Sequence, residues 1–236
     1  MSQPPECTVQ AVFFDVGNTL LHVHPSVGEL YASVAKRHGA QLEPGRLQEQ
    51  FDAAWEKMTS GVPRGVNRYR RHPGGEIGWW QDVVQQTFEG TGFDPGEHFQ
   101  DFFDTFSAAG AWRAYPDTHE ALADLRQRGV MLGVISNWDS RLPMLLEATG
   151  LRRYFSLIVC SSAEDIEKPA MEIFRRAARR CGLGVAQALH VGDRLLEDYQ
   201  GATRAGLQAL LVDRDGGASH DGARVVTDLT HVSRYL

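Results

Sequence analysis

The amino-acid sequence predicts an α/β fold, a doubly wound parallel sheet whose first strand is followed by an all-helical insertion. Three observations carry that expectation. Short apolar runs without polar alternation recur along the chain, the pattern of strands covered by helices on both faces. Stretches of helical period alternate with them. Residues 21–110 break the alternation, with helical patterns and no run of the buried-strand kind.

Taken in order, AVFF at Ala11–Phe14 reads as a fully buried strand ending against Asp15. Comparable runs follow at 131–135 (MLGVI), Leu157–Cys160 (LIVC), 188–191 (ALHV) and Gln208–Val212 (QALLV), with a weak one at 224–226. Helices are expected over 119–128, 141–149, 170–181 and 197–205. Gly129, Gly150, Gly182 and Gly206 stand at helix ends, where a left-handed residue closes the last turn and glycine adopts it without a Cβ penalty.

Within 21–110 four apolar stripes recur at helical spacing. Leu30, Tyr31 and Val34 form the first, and Phe51, Ala54, Trp55 and Met58 the second. Trp79, Trp80, Val83, Val84 and Phe88 form the third, and Phe99, Phe102, Phe103 and Phe106 the fourth. We read them as the core of a helical bundle. Pro63, Pro73, Gly74 and Gly75 bound a loop between the second and third helices. The expected organisation is an α/β core domain over 1–20 and 111–236, with a helical cap domain, 21–110, over the sheet's C-terminal edge.

Composition narrows the function classes. With 42% hydrophobic and 23% charged residues over 236 positions, the chain suits a globular protein with a sizeable core. A net charge of −6 argues against a nucleic-acid or membrane-surface partner, either of which favours a basic face. Cys7, Cys160 and Cys181 are odd in number and widely spaced, which suits neither a disulfide framework nor a zinc site. Cys160, inside an apolar run, is expected to be a small buried hydrophobe. MSQPPECTVQ lacks the basic start and apolar stretch of a secretory signal, and no apolar run approaches a membrane span. The expectation is a reduced, soluble, cytoplasmic protein, a monomer or a homodimer.

In an open parallel sheet, ligands bind just beyond the strand C-termini. The residues there are Asp15-Val16-Gly17-Asn18-Thr19, then Ser136-Asn137, then Lys168-Pro169, then Gly192-Asp193 through Asp198. A carboxylate at a strand end can attack phosphorus and form an acyl-phosphate, splitting a hard hydrolysis into two easier steps. The attack meets a polyanion, so Mg2+ is expected to bridge carboxylate and phosphate. Asp15, Asp193 and the Gly17 carbonyl would supply its oxygen ligands. Asp198 and Glu197 would orient the metal's waters. Ser136, Asn137 and nearby backbone amides would bind phosphate oxygens, and Lys168 would neutralise charge on nucleophile and phosphate.

FFDVGNTLL, VISN, EKP and HVGDRLLEDYQGA match in order and spacing the four motifs of the haloacid dehalogenase superfamily, and the helical insertion resembles its C1 cap. WWQDVVQQTF, VISNWDSRL and HVGDRLLEDYQGATRAG resemble the branch containing haloacid-dehalogenase-like hydrolase domain-containing 3 proteins. The resemblance covers nearly the whole chain and implies a Rossmann-like core and a hydrolase acting on a small phosphorylated metabolite. One position departs. Phosphatases of this family usually carry a second aspartate two residues after the nucleophile, as general acid and base; here that position is Gly17. Loss of such a group typically costs roughly 10²–10⁴-fold in rate.

Asp139, His22 and His24 are candidates to replace that acid, and a substrate with a good leaving group, such as an acyl-phosphate, would need less acid assistance. Arg64, Arg68, Arg70 and Arg71 in the loop SGVPRGVNRYRRHPGG either clamp an anionic substrate group or keep the loop soluble. Two other enzyme readings share the missing aspartate. A carbon–halogen hydrolase is opposed by the retained GDRLLED motif. A phosphonate hydrolase would need Lys36 or Lys57 as a Schiff-base lysine. A reading from another class is a catalytically impaired phosphate-binding or regulatory protein. Substituting Gly17→Asp is expected to discriminate among them.

Overall fold

The computed structural model describes residues 8–216 and 222–236. Cys7 and part of the turn-rich tail after Asp213 lie outside the described residues. Among these, eight strands form: β1 (Ala11–Phe14), β2 (Leu21–Val23), β3 (Trp112–Ala114), β4 (Met131–Ser136), β5 (Leu157–Cys160), β6 (Ala188–Gly192), β7 (Gln208–Val212) and β8 (Val225–Val226). Six of them make one sheet in the order β5-β4-β1-β6-β7-β8, every pairing parallel. This is the α/β, Rossmann-like core the apolar runs predict.

Chain contacts divide the protein into two compact units, Met1–His22 with Ala114–Leu236, and Val23–Arg113. In the first unit, α6 (Thr118–Gln127), α7 (Leu142–Ala148), α8 (Ser161–Glu164), α9 (Met171–Arg180) and α10 (Gly201–Ala205) accompany the sheet. Helix α9 shows why such segments fold against a sheet. Ile173, Phe174, Ala177 and Ala178 are buried on one face, while Arg175, Arg176, Arg179 and Arg180 follow the other. Ile173, Phe174 and Ala177 join Phe13, Ile135 and Val159 in a single apolar cluster. Gly129, Gly150, Gly182 and Gly206 all have positive φ, between 70° and 97°, as expected of helix-closing residues.

The helical unit contains α1 (Val27–Arg37), α2 (Pro44–Ser60), α3 (Arg68–Arg71), α4 (Gly75–Thr87) and α5 (Phe99–Thr105). Ser26 caps α1, accepting from the Glu29 amide at 3.1 Å, and Pro44 opens α2. Tyr31 meets Phe102 and Phe106 edge to face at 5.3 and 5.6 Å. The expected aromatic stripes are thus the unit's own core.

Two expectations differ from the structure. Residues 21–110 contain no strand in the sequence reading, yet Leu21–Val23 pairs with Trp112–Ala114 as β2-β3. Three half-buried residues are too short to show a period. The expected helix over 197–205 is a π-helix, Leu195–Gln200, continued by α10. Its wider turn has no simple hydrophobic periodicity to announce it.

Candidate active site

Strand order reverses at β1, whose neighbours β4 and β6 are reached in opposite directions from it. Such a switch point opens a crevice beyond the strand tips. Asp15 follows β1, Ser136 ends β4 and Asp193 follows β6. The Asp15 amide continues the ladder, donating to the Val191 carbonyl at 2.9 Å.

Around Asp15 the contacts are short and buried. Ser136 Oγ donates to Asp15 Oδ1 at 2.9 Å. Lys168 Nζ donates to the same oxygen at 2.6 Å and to Asp198 Oδ1 at 2.5 Å. Both donors therefore fall on one oxygen of Asp15 and, among the described residues, leave Oδ2 without a donor. Asp15, Asp193 and Asp198 can each offer one oxygen, all within 4.8 Å of one another. Asp193 is held more loosely, with Thr19 Oγ1 at 3.4 Å.

The electrostatics follow from three carboxylates gathered around one ammonium. Burial pushes the Asp15 carboxyl above its usual range, against the pull of Lys168. Burial, reinforced by Asp15 and Asp198, pushes Asp193 up to about 7. Asp198 goes the other way. Burial opposes its charge, but Lys168 and the His190 hydrogen bond outweigh it and hold the carboxyl below the usual range. Burial likewise opposes the charge on Lys168, yet Asp15 and Asp198 hold its ammonium above the ordinary lysine value. The uncompensated negative charge and the all-oxygen donor set of Asp15 and Asp193 fit a hard divalent cation.

Several expected residues take other places. Asp198 is buried beside the cluster: its Oδ1 meets Lys168 and His190 Nε2, the latter at 2.8 Å, and its Oδ2 accepts from the Arg194 amide at 3.0 Å. It is the buried counterion of Lys168. Glu197 is not brought into the cluster; it lies 3.9 Å from Arg194 Nε. The Asn137 side chain is occupied at both ends by the Lys168 backbone, donating to its carbonyl at 2.9 Å and accepting from its amide at 2.7 Å. The side chain thereby positions the lysine. Asp139, a candidate replacement acid, is forked to Arg141 at 2.9 and 2.6 Å, both residues buried. His22 packs on Tyr115, ring centroids 4.8 Å apart.

In the helical unit, Arg68 lies over Trp55 and Trp79 at 5.6 and 5.8 Å, which is a packing role. Arg64, Arg70 and Arg71 are exposed, as are Lys36 and Lys57 on their helices.

Two residues escaped the sequence reading. His190 is fully buried in β6. Burial holds its pKa below the usual histidine value, and its Nε2 meets Asp198 Oδ1 at 2.8 Å. Its Nδ1 is buried without a partner. A histidine inside the apolar run ALHV is itself a signal, because a buried polar ring needs an acceptor. The second is Trp138. A Cβ built on Gly17 would lie 3.3 Å from Trp138 Cζ3 and 3.9 Å from Cη2. The space beside Gly17 is occupied by an indole.

Comparison with known proteins identifies the family. Residues 9–206 match the haloacid dehalogenase-like hydrolase family. Human haloacid dehalogenase-like hydrolase domain-containing protein 3 is 34% identical over 208 residues, covering 86% of this chain and 82% of its own. The zebrafish (Danio rerio) protein of the same name is 33% identical over 218 residues, covering 90% and 88%. Among solved structures, the putative hydrolase YfnB from Bacillus subtilis, bound to magnesium, superposes with a TM-score of 0.79 at 16% identity, covering 97% and 99%. The L-2-haloacid dehalogenase of Xanthobacter autotrophicus, with chloropropionic acid covalently bound, gives 0.69 at 19%, covering 96% and 98%. At those identities the two structures speak for the fold. With the family match spanning most of its length, the chain belongs to the haloacid dehalogenase-like hydrolases.

Proposed function

We propose that the protein is a Mg2+-dependent phosphohydrolase acting on a small phosphorylated metabolite, with Asp15 as nucleophile and a preference for substrates whose leaving group needs no proton. The observation that carries the reading is the arrangement at Asp15: two donors hold one carboxylate oxygen and, among the described residues, leave the other without a donor. That free oxygen attacks phosphorus as the bond to the leaving oxygen breaks, and water then hydrolyses the aspartyl-phosphate. Ser136 fixes the rotation of the carboxylate. Lys168 stabilises charge that develops on the phosphoryl oxygens, and Asp198, Asn137 and His190 keep it in place. Asp15, Asp193 and the Gly17 carbonyl would hold the cation. When bound, it supplies the positive charge that lets a carboxylate approach a phosphate.

Gly17 provides no general acid, and Asp139 is consumed by Arg141. The leaving oxygen must therefore depart as an anion, which favours acyl-phosphates over sugar phosphates. The helical unit is assigned substrate selection, with the exposed Arg64 and Arg71 to meet an additional anionic group.

The missing acid also suits a carbon–halogen hydrolase; the crowding of three carboxylates at one lysine speaks for the cation-dependent reading. The test is steady-state turnover of acetyl phosphate, glucose 6-phosphate and 2-chloropropionate, with and without Mg2+. The expected result is Mg2+-dependent hydrolysis of acetyl phosphate, with kcat/KM exceeding that for the sugar phosphate by roughly 10²-fold or more. No preference for acetyl phosphate would contradict the leaving-group claim. Dehalogenation without cation would replace the phosphohydrolase reading.

A further inference from the structure

Glycine at position 17 is not required by the backbone. Its φ is not positive, so any L-residue fits the local conformation. The constraint is volume, and it comes from Trp138. A bare Cβ on residue 17 would already sit 3.3 Å from the indole, and a carboxyl group extends further.

The indole's backbone cannot retreat easily. The Trp138 amide donates to Ser161 Oγ at 3.0 Å. Its carbonyl accepts from Ser161 Oγ at 3.1 Å and from the Ser162 amide at 3.2 Å. On either side, Asn137 is bound to the Lys168 backbone and Asp139 to Arg141. A Cβ at 17 therefore requires the ring edge itself to give by a few tenths of an ångström.

We propose that Trp138 is a specificity-determining residue. Its indole fills the volume a side chain at 17 would use, so the two residues form a matched pair that keeps a proton donor away from the leaving group. The inference rests on the phosphohydrolase reading above. In the wild type, the bond from Asp15 Oδ2 to phosphorus forms as the P–O bond to the leaving oxygen breaks, and that oxygen departs with the electron pair as an anion. With an acid at 17 and room for it, the carboxyl proton passes to the leaving oxygen as the bond breaks. The substrate range then widens to alkyl phosphates.

The test is a cycle of wild type, Gly17→Asp, Trp138→Ala and the double variant, assayed on acetyl phosphate and glucose 6-phosphate with Mg2+. The single variants are expected to gain nothing on the sugar phosphate. The double variant is expected to gain roughly 10²-fold, with the preference for acetyl phosphate shrinking to match. A gain by Gly17→Asp alone equal to that of the double variant overturns the proposal. So does a double variant that keeps acetyl phosphate turnover with no gain on the sugar phosphate.

Failure of wild type on every phosphate would instead strike the underlying reading. The pairing is then judged by melting temperature, using the uncharged Gly17→Asn in the wild-type and Trp138→Ala backgrounds. Trp138→Leu replaces the alanine variant if that one does not fold. A smaller loss in the truncated background is expected, and equal losses overturn the pairing.

Discussion

Lys168 lies between the carboxylates of Asp15 and Asp198, and the consequences reach Asp193. The unfolded chain loses that proton near 3.8, the folded cluster near 7. Between these values the native state holds a proton that the unfolded state has released. Above about 7, ionised Asp193 therefore carries a net cost in the folded protein without a cation, and a divalent ion offsets it. Below 7 the proton competes with the ion. The rise in melting temperature on adding Mg2+ is expected to be large at about pH 8 and small at about pH 5.5. An equal rise at both would contradict the assignment of Asp193. Asp15, Ser136, Lys168 and Asp193 were legible in the sequence because each sits at or after a strand end or heads a helix. Trp138 and His190 were not. An aromatic after a strand and a histidine within one have no meaning until position 17 and Asp198 are brought alongside.

At the scale of elements, the π-helix after β6 decides where Asp198 goes. Its wide turn returns the carboxylate over the last strand residue, Gly192. A Cβ there would meet Asp198 Cγ at 2.2 Å. Glycine is thus demanded by a close approach of side chain to backbone. Gly192→Ala is expected to push Asp198 off Lys168 and His190, costing about 1–3 kcal/mol of stability and roughly 10²-fold or more in kcat. Denaturant melts and steady-state kinetics read both, and a variant unchanged in each would show that Asp198 is not needed where it lies. The sequence placed the strand and the residues of this motif, but not the π turn. The position of Asp198 on it comes from tertiary contacts rather than from local pattern. Glu197, its chain neighbour, consequently faces Arg194 instead of the cluster.

For the molecule as a whole, the apolar runs specify a sheet while their order in space creates the site. Ser136 and Lys168 are 121 and 153 positions from Asp15 in the chain; Ser136 meets it because β4 pairs with β1, and Lys168 because its backbone is held by Asn137, just after β4. Regular spacing of buried runs made that architecture readable, and the long aromatic stripes made the helical unit readable. The β2-β3 pair was hidden because each strand is three residues long and half-exposed. Among the described residues no helix is long and apolar enough to cross a membrane. The central claim is that Asp15 takes the phosphoryl group. It is tested most directly by rapid acid quench during acetyl phosphate turnover, followed by peptide mass spectrometry. The account predicts a phosphoryl group on Asp15 that requires Mg2+ and is absent from Asp15→Asn. Steady turnover with Asp15 unlabelled, or a label on another residue, would contradict it.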